Sequence, residues 1–326
     1  MTKFSQLSDS SRGILFASVT ALMWGFLAIA LKVALKEVDP VTLAWFRFLL
    51  AFVLLLIFLG IRSPQSIKIL TNPPLLAIIA AIGLAVNYVG YIKGVELTSP
   101  SNAQILIQIA PVLLAISGLV FFKEKMTRIQ AFGFIMAITG FIVFYKDQLS
   151  NLLTSEKIYN TGILVVVGAS FTWVVYAVLQ KILVRKYNPQ SLNLIIYGVP
   201  AIILIPFIEL QHLFSLSVGM WLLLIYLGVN TFLAYGFLAE AFKLLEANKV
   251  GIIVTLNPMI TIVTMLTLTY LEVSWIEPER ISSLGIFGAL LVISGAILAV
   301  RSKKIKPILK KDINFQENTE SLTAKI

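Results

Sequence analysis

The sequence predicts an all-α integral membrane protein with ten transmembrane helices, arranged as two inverted five-helix repeats with both termini cytoplasmic. Three observations carry this expectation. Hydrophobic residues make up 58% of the 326 positions and charged residues 13%, with a mean hydropathy of +0.92, so the charged surface of a soluble domain is missing. Apolar runs of about 20 residues, the length that crosses a bilayer, follow one another with only short polar breaks. The second half of the chain repeats landmarks of the first.

In order, the spans fall near 13–35, 41–61, 74–97, 100–122, 127–145, 160–182, 190–210, 217–242, 249–271 and 281–300. The first follows a short polar lead, runs to full transmembrane length and has no small-residue cleavage site, so it reads as a helix and not as a signal peptide. Turn chemistry marks the breaks: Asp39-Pro40, Asn72-Pro73-Pro74, Ser99-Pro100, Asn188-Pro189 and Glu277-Pro278. The fourth span is unusual. It carries Gln104, Gln108 and Pro111 within an otherwise apolar stretch, and Pro111 should kink it, because proline lacks the amide hydrogen and crowds the preceding turn. At about 100° per residue, Gln104, Gln108, Pro111, Ala115 and Gly118 share one small, polar face that should look at protein or water.

Lysine and arginine set the orientation. Arg62 and Lys68, then Lys123, Lys125 and Arg128, then Lys181, Arg185 and Lys186, then Lys243 and Lys249 occupy alternate loops and define the cytoplasmic side. The net charge of +10 is thereby a matter of topology, not of nucleic-acid binding. Cysteine is absent and His212 stands alone, which leaves no disulfide framework, thiolate chemistry or ordinary metal site.

The repeat is read from matched landmarks. Trp24 pairs with Trp173, Lys32 with Lys181, Asp39-Pro40 with Asn188-Pro189, Tyr88 with Tyr235, Pro111 with Pro258, Gly133 with Gly288 and Gly140 with Gly295. Because each copy holds an odd number of spans, the second enters the membrane from the opposite side, which inverts it. The expected division is a cytoplasmic N-terminus at 1–11, a first repeat at 12–147, an extracytoplasmic linker at 148–159, a second repeat at 160–301 and a basic, polar cytoplasmic tail at 302–326.

Two tandem five-helix units, Trp24-Gly25, Arg47 in the second span, a proline-centred fourth span followed by Lys123-Glu124-Lys125, and a glycine-spaced fifth span resemble the drug/metabolite transporter superfamily, and within it the EamA family. The resemblance covers about residues 12 to 301. It implies a small-metabolite permease of a prokaryotic inner membrane, often an exporter of amino acids or related compounds, with a central cavity. The second copy departs from the pattern: Ile196 stands where Arg47 does, and Leu271-Glu272-Val273 replaces Lys-Glu-Lys.

Several residues are candidates to meet a solute. Gln104 and Gln108 each donate and accept hydrogen bonds without the cost of a buried charge, and either line a cavity or tie neighbouring helices. Asn87 and Tyr91 share a face with Gly83 and Gly94, fit for a site wall or for close packing. Trp24 and Trp173 lie mid-span and are suited to stacking or cation–π contact, or to plain packing. Tyr176 and Tyr235 offer polar tips. In the ninth span Thr255 and Gly251 stand where the fourth has its glutamines, and Asn257, Thr261 and Thr264 form another face assigned to packing. Pro111 and Pro258 are the expected helix kinks.

Charges inside spans are few. Lys32 with Glu96 and Lys181 with Glu240 are candidate gate latches on opposite sides, Glu240 is the best placed carrier if protons couple transport, and Arg47 needs a partner whether as a structural tie or as a solute contact. No nucleotide-binding loop, dinucleotide motif or paired catalytic carboxylates appear, so neither a cofactor nor enzyme chemistry is expected. The expectation is a secondary transporter, exporter or facilitator, of small polar metabolites such as amino acids, by alternating access around a midplane cavity. Its partners are the solute and the lipid bilayer, without nucleic acid, and a homodimer is left open. The rival is a membrane-embedded enzyme or a non-transporting scaffold.

Overall fold

The computed structural model describes residues 8–98, 100–124, 126–144, 146, 157–276, 278 and 282–300. The tail at 302–326, most of the linker at 148–159 and Lys125 lie outside the described residues. Among the described residues every regular element is helical: α1 (Asp9–Ala34), α2 (Pro40–Arg62), α3 (Leu75–Leu97), α4 (Pro100–Leu106), α5 (Ile109–Val120), α6 (Arg128–Phe144), α7 (Lys157–Leu183), α8 (Pro189–Ile203), α9 (Val218–Leu244), α10 (Ala247–Val254), α11 (Asn257–Tyr270) and α12 (Ser283–Val300), with short 3₁₀ turns after α2 and α8. Among the described residues, six stretches are long and apolar enough to cross a membrane: α1, α2, α3, most of α7, α9, and α10 with α11 taken as one. Large apolar side chains such as Ile61, Leu75, Leu164 and Val218 point outward and are exposed, as a lipid-facing surface requires.

The helix starts follow capping chemistry, and the two halves use the same chemistry at equivalent places. Asp39 accepts hydrogen bonds from the Val41 and Thr42 amides while Pro40 opens α2. Asn188 accepts from Gln190 and Ser191 while Pro189 opens α8. The seventh apolar run, expected to 210, is helical only to Ile203. Pro206 explains this, since it cannot continue the hydrogen-bond ladder and disfavours the helical conformation at the residue before it.

The fourth and ninth spans are each broken in two. The breaks fall at Ile107–Gln108 and at Thr255–Leu256. Each lies about one turn before a proline, Pro111 or Pro258, where the missing amide leaves a carbonyl without its ladder partner. Each span is thus two helical segments, with the interruption just ahead of Pro111 or Pro258.

Packing is driven by small residues, as expected where no hydrophobic effect separates helix from lipid. A Cβ added to Gly94 of α3 would lie 1.9 Å from Val166 Cγ2 of α7, and one added to Gly83 would lie 3.2 Å from the Thr172 carbonyl. In the mirrored pair α1 and α9, a Cβ at Gly13 would lie 2.6 Å from Leu245. The equivalent glycines Gly140 and Gly295 bring α6 and α12 into backbone contact, with a Cβ at either landing 2.6 to 2.7 Å from the opposing main chain. Gly251 of α10 does the same against the Pro111 carbonyl of α5, at 2.6 Å.

Candidate functional site

Where the two broken spans pass α1, α3 and α7, a cavity of about 60 Å³ opens among side chains from both halves. Trp24 and Trp173, equivalent in the repeat, meet edge to face at 6.0 Å between ring centroids. Their equivalents in α3 and α9, Tyr88 and Tyr235, also touch, at 5.7 Å, and Tyr235 lies 5.2 Å from Trp24. All four rings are buried and line the cavity. Residues that meet their own repeat partners must lie near the axis relating the repeats, so the cavity sits at that axis.

The polar wall comes from α3, α4 and the two helix breaks. Gln104 accepts from the Tyr91 hydroxyl at 2.8 Å and donates to the Trp24 carbonyl and Thr261 hydroxyl at 3.1 and 3.2 Å. Gln108 donates to the Asn257 side chain, while its own Oε1 is buried without a hydrogen-bond partner among the described residues. Asn87 donates to the Ala169 carbonyl at 2.9 Å. The glutamines thus both line the cavity and tie helices together. The α3 face does the same: its glycines pack on α7, and Asn87 and Tyr91 reach the cavity.

Two expected residues stand elsewhere. Tyr176 is wholly buried one ring behind the wall, against Trp173 and Tyr235 at 6.2 and 5.6 Å, and does not line the cavity. Thr255 hydrogen-bonds the Ile252 carbonyl and faces a separate cavity of about 40 Å³ between α5, α6 and α12. Asn257 reaches the central cavity in its place, and Thr261 braces Gln104. The face assigned to packing is the one that meets the site. The break is the reason: it falls one residue closer to Pro258 than its counterpart does to Pro111, so a match of Thr255 to Gln108 slips across it. The signal for Tyr88 was its pairing with Tyr235.

The latch pairs also differ from expectation. Lys32 donates to the Val95 and Thr98 carbonyls at 3.2 and 3.4 Å, and Lys181 to the Phe242 and Leu245 carbonyls. These acceptors are equivalent in the repeat, so one device occurs twice, at opposite ends: a lysine on the first helix of each half caps the carbonyl end of the third helix. Glu96 instead pairs with Lys93 one turn away, and Glu240 accepts from Gln190 at 3.1 Å.

Around these lysines the two ends are unequal. Lys181 is buried, and beside its end of the molecule Glu124 accepts from the Ala247 and Asn248 amides at 2.7 and 3.0 Å, capping α10 from the other half. Lys32 is half-buried and borders a cavity of about 520 Å³ with Pro100, Val273 and Trp275. Among the described residues, Lys123 and Glu272 are the two non-glycine residues with left-handed backbone, φ 51 and 52, and each lies just past a helix end, of α5 and α11. The residue after the left-handed one is Glu124 in the first half and Val273 in the second. Among the described residues, no carboxylate caps α4 at the end holding Lys32.

Arg47 is 1% exposed, deep in α2. Its Nε donates to the Thr231 hydroxyl at 3.1 Å, its guanidinium carbon lies 4.4 Å from the centre of the Tyr88 ring, and it borders the central cavity.

The pattern of the EamA-like transporter family matches residues 11–146 and again 160–301. The chain belongs to the EamA-like transporter family. Its EamA relatives include an uncharacterized transporter of Haemophilus influenzae, 31% identical over 297 residues spanning 90% of this chain and 96% of that one. Another is the uncharacterized inner membrane transporter YhbE of Escherichia coli, 30% identical over 302 residues spanning 92% and 94%. A protein crystal structure at 19% identity shares the fold, with a TM-score of 0.69 over 90% of this chain and 98% of that one. The protein is an EamA membrane transporter built from two copies of the family unit.

Proposed function

We propose that this EamA protein is a secondary transporter, an exporter or facilitator of small polar metabolites such as amino acids, resident in a bacterial inner membrane. Ten crossings, with the broken spans counted once each, form two inverted repeats at 12–147 and 160–301. Both termini are cytoplasmic, and the two units rock about the central cavity to expose it alternately. The observation that carries this reading is the meeting of repeat partners at one buried polar cavity flanked by two discontinuous spans. Discontinuous helices at a repeat interface free backbone and side-chain groups for a solute near the midplane. The capped end with Glu124 and Lys181 is the cytoplasmic gate by the lysine and arginine count, and the cavity beside Lys32 is the extracytoplasmic vestibule.

Purified protein in liposomes should accelerate counterflow of an amino-acid-like solute over protein-free vesicles. Gln108→Leu removes the unpaired acceptor and the tie to Asn257, and should slow that flux several-fold. An unchanged rate would take Gln108 out of the site; no flux for any small polar solute would end the transporter mechanism proposed.

A further inference from the structure

Arg47 is a permanent positive charge in the most buried layer of the protein, and no ion pair to it is formed among the described residues. Thr231 takes its Nε and Tyr88 covers one face of the guanidinium. Thr231 is itself fixed, donating to the Leu227 carbonyl at 3.0 Å and lying 3.4 Å from the Tyr88 hydroxyl. The guanidinium is thus held from behind, while its terminal nitrogens make no hydrogen bond to any described residue and the side chain borders the central cavity. The cavity wall contains no aspartate or glutamate. Aromatic walls built from Trp24, Trp173, Tyr88 and Tyr235 would by themselves suit an organic cation. A fixed cation in the same cavity reverses that preference, because like charges in a low-dielectric pocket repel strongly and opposite charges attract.

A second polar group lines the same cavity. Gln108 Oε1 is a buried acceptor without a partner among the described residues, so its complement is a donor. We infer that the central cavity takes a small monocarboxylate that also carries a hydrogen-bond donor, an α-hydroxy or α-amino acid, with its carboxylate on the Arg47 fork, its donor on Gln108 and its apolar body against the rings. One unpaired arginine balances one negative charge, which favours a monoanion over a phosphate monoester. Guanidinium and carboxylate match in planar geometry, and the contact is charge-assisted. This inference rests on the central cavity being the transport site.

The test compares acids with their neutral amides: lactate against lactamide, and 3-phenyllactate against 3-phenyllactamide, with phenethylammonium as the opposite charge. Melting of the purified protein is followed with each probe, since a ligand that binds the folded state raises the melting temperature. Wild type should bind at least one acid about 10- to 100-fold more tightly than its amide, the range expected for hydrogen bonds to a charged group. R47Q should remove that difference, and R47K, which keeps the charge and loses the fork, should retain a smaller one. Equal shifts for acid and amide in wild type, stabilisation by phenethylammonium alone, or an acid preference that survives R47Q would each overturn the inference. The wild-type comparison decides it even if R47Q does not fold. Liposome flux separates the two readings. Carriage of lactamide or phenethylammonium without discrimination keeps the transporter and discards the anion site, whereas acid binding without flux of any probe keeps the site and discards transport.

Discussion

Glu124→Gln should loosen the end of the molecule that holds Lys181 and leave the rest of the fold in place. The wild-type carboxylate accepts from two amides at the start of α10, Ala247 at 2.7 Å and Asn248 at 3.0 Å. The helix has no cap of its own, since the Glu246 side chain makes no capping bond and pairs with Lys249 at 2.8 Å. Glutamine offers one acceptor oxygen and no charge, so one bond is lost and the other weakens, together with the interaction of the charge with the helix dipole. For this half-buried group the loss comes to about 1–2 kcal/mol. Because the bonds join the two halves, under the proposed gating that loss falls on the closed state of this end, and the open population should rise about 5- to 30-fold. The chain has no cysteine, so a single introduced thiol reports without background. Ser117 of α5, one residue before Gly118, is 7% exposed, and Ser117→Cys changes little in size. Its labelling by an impermeant maleimide, slow relative to gating, should accelerate by the same factor in the E124Q background. A cysteine at Ser170, buried in α7, should keep its rate. Equal labelling of Ser117→Cys with and without E124Q would refute the gate, and parallel acceleration at Ser170 would show general loosening instead.

Gly118→Ala should act through the same contact. A Cβ there would lie 2.3 Å from Glu124 Oε2 and 2.9 Å from the Asn248 amide, so the carboxylate must leave, and in the same labelling assay the double mutant with E124Q should add little to either single change. Lys181→Met should lower thermal stability by about 2–3 kcal/mol, since it strips the Phe242 and Leu245 carbonyls of a buried donor, whereas Lys32→Met should cost less than about 1 kcal/mol because water entering the 520 Å³ cavity can replace the amine. Denaturation of the two variants side by side checks the difference, and equal losses would mean the two ends are alike.

What was legible in the sequence was whatever repeats or breaks a helix. Pro111 and Pro258 placed both discontinuities, and the pairing of Trp24 with Trp173 and of Tyr88 with Tyr235 marked the four rings that meet at the cavity. Side-chain facing failed at the breaks themselves. The repeat match sets Thr255 opposite Gln108, yet Asn257 reaches the cavity, since the interruption of the ninth span falls one residue closer to its proline than that of the fourth and the match slips across it. The lysine partners failed for another reason. A search for opposite charges links Lys181 to Glu240, but a lysine buried at a helix end is satisfied by backbone carbonyls, which every residue carries and no letter of the sequence marks.

The two halves share a skeleton and diverge in charge, and the divergence has a direction. An inverted repeat with identical halves would hold its two gated states at equal energy, because opening one end is closing the other. Here the end with Lys181 adds Glu124 across the halves, while the equivalent place at the end with Lys32 is Val273 beside an open cavity. If the two units rock as proposed, this contact favours the state closed at the Lys181 end. Arg47 breaks the symmetry a second time, for its equivalent is Ile196, so a ligand that neutralises it binds off the axis and contacts the first half more than the second. A ligand can shift the two states only by its difference in affinity between them. A solute held mainly by one half, and released from it as the halves rock, supplies such a difference. Under the proposed mechanism, the asymmetry of the ends sets the resting state, and the asymmetry of the cavity gives the solute a means to move it.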